Sequence, residues 1–244
     1  MKRSIHIGFD PREVDAFAVA RRSIERRLTV PIPVSGLVLA DLKARGLYTR
    51  PTSRRYSSAI STGDGYLWDD ISGAPMATEF ACSRFLVPFL ENYDGFALFM
   101  DCDMLVRSNL ARIFGQCDKS KAVMVVKHDH KPTTETKMDG QLQTRYARKN
   151  WSSVMVFNCG HPANRALTPE LVNSVPGRDL HAFCWLKDEE IGSLDQSWNY
   201  LVGHSSPEIT PDIVHFTDGI PSMAGYEACE YADEWRAELQ RWAA

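Results

Sequence analysis

A chain of 244 residues is long enough for one large domain with a sizeable core. Its hydrophobic share of 44% and charged share of 24% are those of a globular protein, and a formal net charge of -3 sets aside general nucleic-acid binding. Six cysteines, none in CxxC spacing, read as reduced thiols of a cytoplasmic protein. The opening MKRSIHIGFD has no long apolar stretch behind its basic residues, so it is not read as a signal peptide. No run of about 18 apolar residues occurs, so no transmembrane segment is expected.

Ile5 to Phe9 reads as a short buried strand. Asp10-Pro11-Arg12-Glu13 then has the order of a helix start, with Asp10 as N-cap, Pro11 at the first position and Glu13 at the third. Val14, Phe17, Ala18, Ile24 and Leu28 recur behind it at helical spacing, with Arg21 as the polar interruption. Residues 31–40, rich in Val, Ile and Leu, predict a second strand. The polar stretch 48–66, which holds Arg50, Arg54 and Arg55, predicts a loop. Residues 78–92 predict a mostly buried helix that Pro88 kinks or shortens. Phe96 to Met100 is the clearest central strand, and Asp101-Cys102-Asp103 ends it. Residues 122–126 predict another strand, followed by the polar stretch 127–150. Residues 154–157 predict a strand ending at Asn158-Cys159-Gly160, and residues 194–202 a helix with Asp195 in its first turn. A late strand over 213–216 runs into Thr217-Asp218-Gly219, and the last dozen residues read as an amphipathic helix. Strands alternate with helices in the first half, which predicts an α/β fold with a largely parallel sheet.

The strongest chemical signal is FALFM-DCD-MLV, where two carboxylates interrupt an apolar segment. A buried charge is costly unless it is paired or bound to a metal. Side chains at i and i+2 of an extended chain point the same way, so Asp101 and Asp103 can meet one site at the carboxyl end of a strand. Two carboxylates with phosphate oxygens suit Mg²⁺ or Mn²⁺. The competing reading is a solvated acidic turn. His215 ends another apolar strand and is suited to complete such a site, or else to be a hydrogen-bonded histidine of the fold. Asn158, Asp195 and Gln196 offer hydrogen bonds to sugar hydroxyls, with caps and turns as their ordinary roles. Arg84, inside the apolar FACSRFLVPF, needs an anionic partner. Asp129, between His128 and His130, follows a strand and is expected to face the same cleft.

Taken together, IHIGFD, ATEFACSRFLVPFL, FALFMDCDMLV, VMVFNCGH, LDQSWN and HFTDGIPSM resemble glycosyltransferase family 8. They occur in that family's order across about residues 5–223. The resemblance implies one GT-A domain over residues 1–244, with a central, mostly parallel mixed sheet and helices on both faces. It implies a retaining hexosyltransferase that takes its sugar from a UDP-sugar with Mn²⁺ or Mg²⁺. The sugar would pass to a carbohydrate, glycolipid or protein acceptor. On matching positions, Asp101, Asp103 and His215 would hold the metal, and Asp10 would lie beside the nucleobase. Arg84, Asn158, Asp195 and Gln196 would line the donor-sugar pocket, with Asp195 and Gln196 nearest the reaction and Asp129 close by. Gly219 would let backbone approach the diphosphate. The family usually relies on front-face attack by the acceptor, so no protein nucleophile is expected. After Gly219 the chain reads Ile-Pro-Ser-Met, without the family's lysine and tryptophan. Metal and Arg54, Arg55 or Lys131 would then neutralise the leaving diphosphate. The stretches 48–66 and 127–150 would form the acceptor side of the cleft and order on donor binding.

Two competitors stand beside this reading. A haloacid-dehalogenase-like phosphatase also places Asp-x-Asp after an apolar strand, with a nucleophile at the first aspartate and a general acid at the second. That motif usually opens its domain and carries Thr or Val where Leu105 stands here. A catalytically weak nucleotide-sugar binding protein is the other, supported by the missing lysine.

Overall fold

The computed structural model describes residues 1–56, 65–128, 148 and 150–243. The chain opens with β1 (Arg3–Gly8), α1 (Val14–Arg27), β2 (Val34–Leu37) and α2 (Leu39–Ala44). Three short strands follow: β3 (Thr52–Arg55), β4 (Tyr66–Asp69) and β5 (Ala74–Pro75). A 3₁₀ turn at Ser83–Leu86 runs into α3 (Val87–Leu90), then β6 (Phe96–Met100) and β7 (Met104–Val106). The second half holds β8 (Val123–Val125), β9 (Val154–Asn158), α4 (Pro169–Ser174), α5 (Gly177–His181) and β10 (Ile191–Ser193). It closes with β11 (Tyr200–Leu201), β12 (Ile213–His215) and α6 (Ala232–Ala243).

The predicted central strand is the middle of a six-stranded mixed sheet, ordered β10-β8-β9-β6-β1-β2. β2, β1 and β6 run parallel, and so do β10 and β8. Only β9 runs against its neighbours. The carboxyl ends of β1, β2, β6, β8 and β10 therefore share one edge with the amino end of β9. Strands β1, β6, β8 and β9 are almost wholly buried, which their continuous apolar runs require.

A second sheet, β11-β12-β7, stands beside the first. α1 lies between the two cores: Ala20 and Ile24 pack into the large cluster, Ala16 and Val19 into a smaller one with Leu105, Val214, Phe216 and Trp235. α6 docks on α1 through buried Glu238, which accepts from Arg26 at 2.5 Å and Arg27 at 2.9 Å.

Four local expectations are corrected. Asp10 does not cap α1, which starts at Val14 with no side-chain cap. The Asp10 carboxylate instead accepts from the Arg12 backbone and guanidinium, closing a turn before the helix. Residues 78–92 do not form one helix, because Pro88 has no N–H to continue a ladder and sits in the first turn of α3 instead. Part of 48–66 is strand rather than loop: β3, β4 and β5 form a small antiparallel sheet. Residues 194–202 hold a 3₁₀ turn, Gln196–Asn199, followed by β11. Asp195 is the N-cap of that turn and accepts from Ser197 N.

Candidate metal and nucleotide-sugar site

The sheet edge defined above carries the site. β6 delivers Asp101 to it, and the chain bends there so that Cys102 turns inward and donates to Glu13 Oε2 at 3.0 Å. Asp101 and Asp103 consequently both face out. Burial, and after it the charge of Asp103, push the Glu13 carboxyl up to about 7. β7 then pairs antiparallel with β12, with His215 opposite Met104 and Phe216 N donating to Asp103 O at 2.9 Å. That pairing carries the late histidine back to the Asp-x-Asp turn across more than a hundred residues of sequence. One donor atom from each of Asp101, Asp103 and His215 lies within 4.8 Å of the others. His215 Nε2 stands 3.4 Å from Asp103 Oδ2, and His215 Nδ1 is 2.9 Å from Asn199 Oδ1.

Two carboxylates and one neutral imidazole form a donor set that fits Mn²⁺, with Mg²⁺ less suited to the nitrogen. The Arg84 guanidinium is 2.8 Å from Asp101 Oδ1 and donates to Ser152 O at 2.8 Å. It lies over the rings of Phe80 and Phe99 at 5.2 and 4.9 Å. The anionic partner that the sequence demanded for Arg84 is thus Asp101 itself.

A cleft of ≈ 430 Å³ opens beside these groups. Its walls come from the 69–84 segment, from Asn150, Ser152 and Ser153 before β9, from α5, and from Thr217. His181 Nδ1 and Ser152 Oγ are 2.6 Å apart in its wall. Burial, followed by the charge of Arg84, pushes His181 down to about 3, so this imidazole is neutral at physiological pH. Arg178 also lines the cleft, with 69% of its side chain exposed.

The structure brings Arg84, Asp101, Asp103 and His215 together and leaves other expected residues elsewhere. Asn158 pairs with Phe96, at the opposite end of the sheet from Asp101, because β9 runs antiparallel. Its amide donates to Lys119 O and Lys121 O. Asp195 and Gln196 follow β10 at the correct edge but are exposed and are not among the cleft-lining residues. Asp10 is fully buried, and its carboxylate accepts from Arg12 and from Glu79 N. Gly219 is not among the cleft-lining residues, and a Cβ there would meet the Tyr226 ring at 2.7 Å. Arg55 stacks over Trp68 at 3.7 Å. Asp129 and Lys131 lie outside the described residues, as do most of 127–150 and the centre of 48–66. Asn150, Ser152, Ser153, Arg178 and His181, which no motif singles out, line the same cleft, and Asn199 meets His215 behind it. The available signals were Ser152-Ser153 directly before the apolar VMVF, and Asn199 as the polar residue inside WNYLV.

No family model matches the chain. Among solved structures, the bifunctional glycosyltransferase WbbM superposes with a TM-score of 0.60 at 12% identity, covering 98% of this chain and 49% of that one. The glycosyltransferase GlyE of Streptococcus pneumoniae gives a TM-score of 0.56 at 13% identity, covering 100% of this chain and 63% of that one. The chain thus spans about half of WbbM and under two thirds of GlyE. The galactosyltransferase LgtC, solved with donor and acceptor sugar analogues, gives a TM-score of 0.55 at 14% identity over 98% and 95% of the two chains. These likenesses establish the fold as that of GT-A glycosyltransferases. Among the described residues, no helix is long and apolar enough to cross a membrane. In sequence, the chain is 40% identical to Protein CDI of Arabidopsis thaliana over 243 residues, 98% of this chain and 86% of that protein. On that identity and coverage, the chain belongs to the family of Protein CDI.

Proposed function

We propose that this protein is a metal-dependent glycosyltransferase, built as a single GT-A domain, that takes a hexose from a UDP-sugar and passes it to an acceptor with retention. The observation that carries the reading is the convergence of Asp101, Asp103 and His215 within 4.8 Å beside the ≈ 430 Å³ cleft of a GT-A fold. In this reading those three residues hold Mn²⁺. The ion, when bound, neutralises the diphosphate and polarises its bond to the sugar.

The chain's own residues supply the rest. Arg84 fixes the rotamer of Asp101 through Ser152 O. Arg178 offers the leaving diphosphate a cation in place of the family's lysine. The Ser152 hydroxyl, held by neutral His181, offers the donor sugar a hydrogen-bonding group, the role first expected of Asn158. Asp195 and Gln196, exposed after β10 at the same sheet edge, are assigned to the acceptor side in this reading. Asp10 shapes the turn after β1 rather than reading a base, since its oxygens already accept from Arg12 and Glu79 N. Asp101 is held by a guanidinium, which favours a ligand role over the nucleophile that a phosphatase would need. Six free thiols suit a cytoplasmic setting.

The test is UDP release from a panel of UDP-hexoses with Mn²⁺, with and without added sugar acceptors. Slow metal-dependent release from one donor, raised by an acceptor, is the expected result. Tight UDP binding with no turnover of any donor would favour the binding-protein reading instead.

A further inference from the structure

We infer that Asn199 is a positioning residue for the metal site, fixing the tautomer and direction of His215; this rests on the metal reading above. Asn199 is wholly buried, between the apolar Trp198 and Tyr200. Its amide Nδ2 donates to Asn150 O at 3.2 Å and to Ser153 Oγ at 2.9 Å. A backbone carbonyl only accepts, so the NH₂ end of the amide must face Asn150. Oδ1 must then face His215 Nδ1, 2.9 Å away. An amide oxygen also only accepts, so Nδ1 carries the proton. In the neutral imidazole this leaves the lone pair on Nε2, the nitrogen aimed at Asp103. A histidine that ligates a metal through one nitrogen is commonly oriented in this way through the other.

The same short segment serves both halves of the site. Ser152 O receives Arg84, which pairs with Asp101. Ser153 O receives Asp101 N at 3.0 Å, and Ser153 Oγ receives Asn199, which holds His215. Asn150 itself sits in the left-handed region at φ 65, a conformation that Asn tolerates better than most residues. Donors from β6 and β12 are thereby set against one frame, the turn before β9.

The test is Mn²⁺ affinity at constant neutral pH, read from the paramagnetic resonance of the free ion, with the full chain and no nucleotide. Asn199→Ala removes the acceptor and is expected to weaken Mn²⁺ by about 10–100-fold, as loss of such outer partners does. Asn199→Asp keeps an oxygen acceptor at Nδ1 but sets its other oxygen against Asn150 O, and is expected to recover part of that loss. Ser153→Ala, which loosens the amide but keeps Asn150 O, is expected to give a smaller loss and serves if Asn199→Ala does not fold. Wild-type affinity in both Asn199→Ala and Ser153→Ala would overturn the inference and leave the metal site standing. Equal weakening in Asn199→Ala and Asn199→Asp would overturn it too, because a packing role gives no rescue. A wild-type chain that binds no Mn²⁺ would overturn the metal reading and this inference with it.

Discussion

Arg84 and Asp101 form a 2.8 Å ion pair beside the cleft, and the same guanidinium nitrogen reaches Ser152 O at 2.8 Å. The pair is largely dry, with side-chain exposures of 6% and 16%. Breaking a buried pair by removing one partner costs about 3–5 kcal/mol, because the other charge stays behind. Arg84→Met is therefore expected to destabilise the metal-free protein by that order. Mn²⁺ supplies a new counter-charge to Asp101, so saturating metal should stabilise Arg84→Met more than wild type. Urea unfolding with Mn²⁺ and with EDTA measures both. Equal metal stabilisation in the two proteins would contradict the role given to Asp101.

Gly8 ends β1 directly against Phe80, and a Cβ there would meet the ring at 2.5 Å. The ring is boxed in by Arg84 and Phe99 and has little room to yield. Gly8→Ala is expected to cost about 1–3 kcal/mol, the usual range for overpacking a core. A thermal melt checks it, and an unchanged midpoint would show that the Phe80 pocket is softer than its contacts indicate.

Gly219 gives a contrasting case. A Cβ there would meet the Tyr226 ring at 2.7 Å. Gly219→Ala should lower stability by about 1–3 kcal/mol while leaving Mn²⁺ and UDP affinities at wild-type values. A selective loss of UDP affinity would return Gly219 to the diphosphate site.

Acid should destabilise the protein most steeply below 4.5. His181 falls from 6.5 to about 3 in the fold, through burial and then the charge of Arg84. Its contribution is present above 6.5 and is lost as pH drops from there toward 3, while the unfolded chain takes up a proton that the folded chain refuses. Glu91 falls from 4.5 to about 2, first through its hydrogen bond to His6. That contribution is present above 4.5 and is lost as pH drops toward 2. Urea unfolding across pH should show a loss that steepens below 4.5, because between about 7 and 4.5 the proton that Glu13 takes up in the fold offsets the one that His181 refuses. Glu91→Gln should lessen the steep part, and His181→Phe should turn the range between 7 and 4.5 into a gain. An acid limb unchanged in both variants would contradict these assignments.

The central strands and both segments of the candidate metal site were legible in the sequence, because carboxylates that interrupt an apolar run need a cation or solvent at the strand's end. Phe96–Met100 with its Asp-x-Asp end and the strand before Phe216 are the examples. Strand direction was not legible. The run at Val154–Asn158 predicts a strand equally well either way up. Asn158 was therefore expected at the end where Asn150, Ser152 and Ser153 actually lie. The strands β7, β10 and β11 have three residues or fewer, too few to show a period. The pairing of β7 with β12, which joins His215 to Asp103, is tertiary and leaves no local trace. Asp10 shows a different limit: its position fits a cap, but Arg12 two residues on competes for the carboxylate and wins.

The most direct measurement is calorimetric titration of UDP into the protein with Mn²⁺ and with EDTA, repeated on Asp103→Asn. The account predicts UDP binding in Mn²⁺ that disappears in EDTA and in Asp103→Asn, with the variant's melting temperature unchanged within a few degrees. UDP binding of equal strength with metal, without metal and in Asp103→Asn would contradict it.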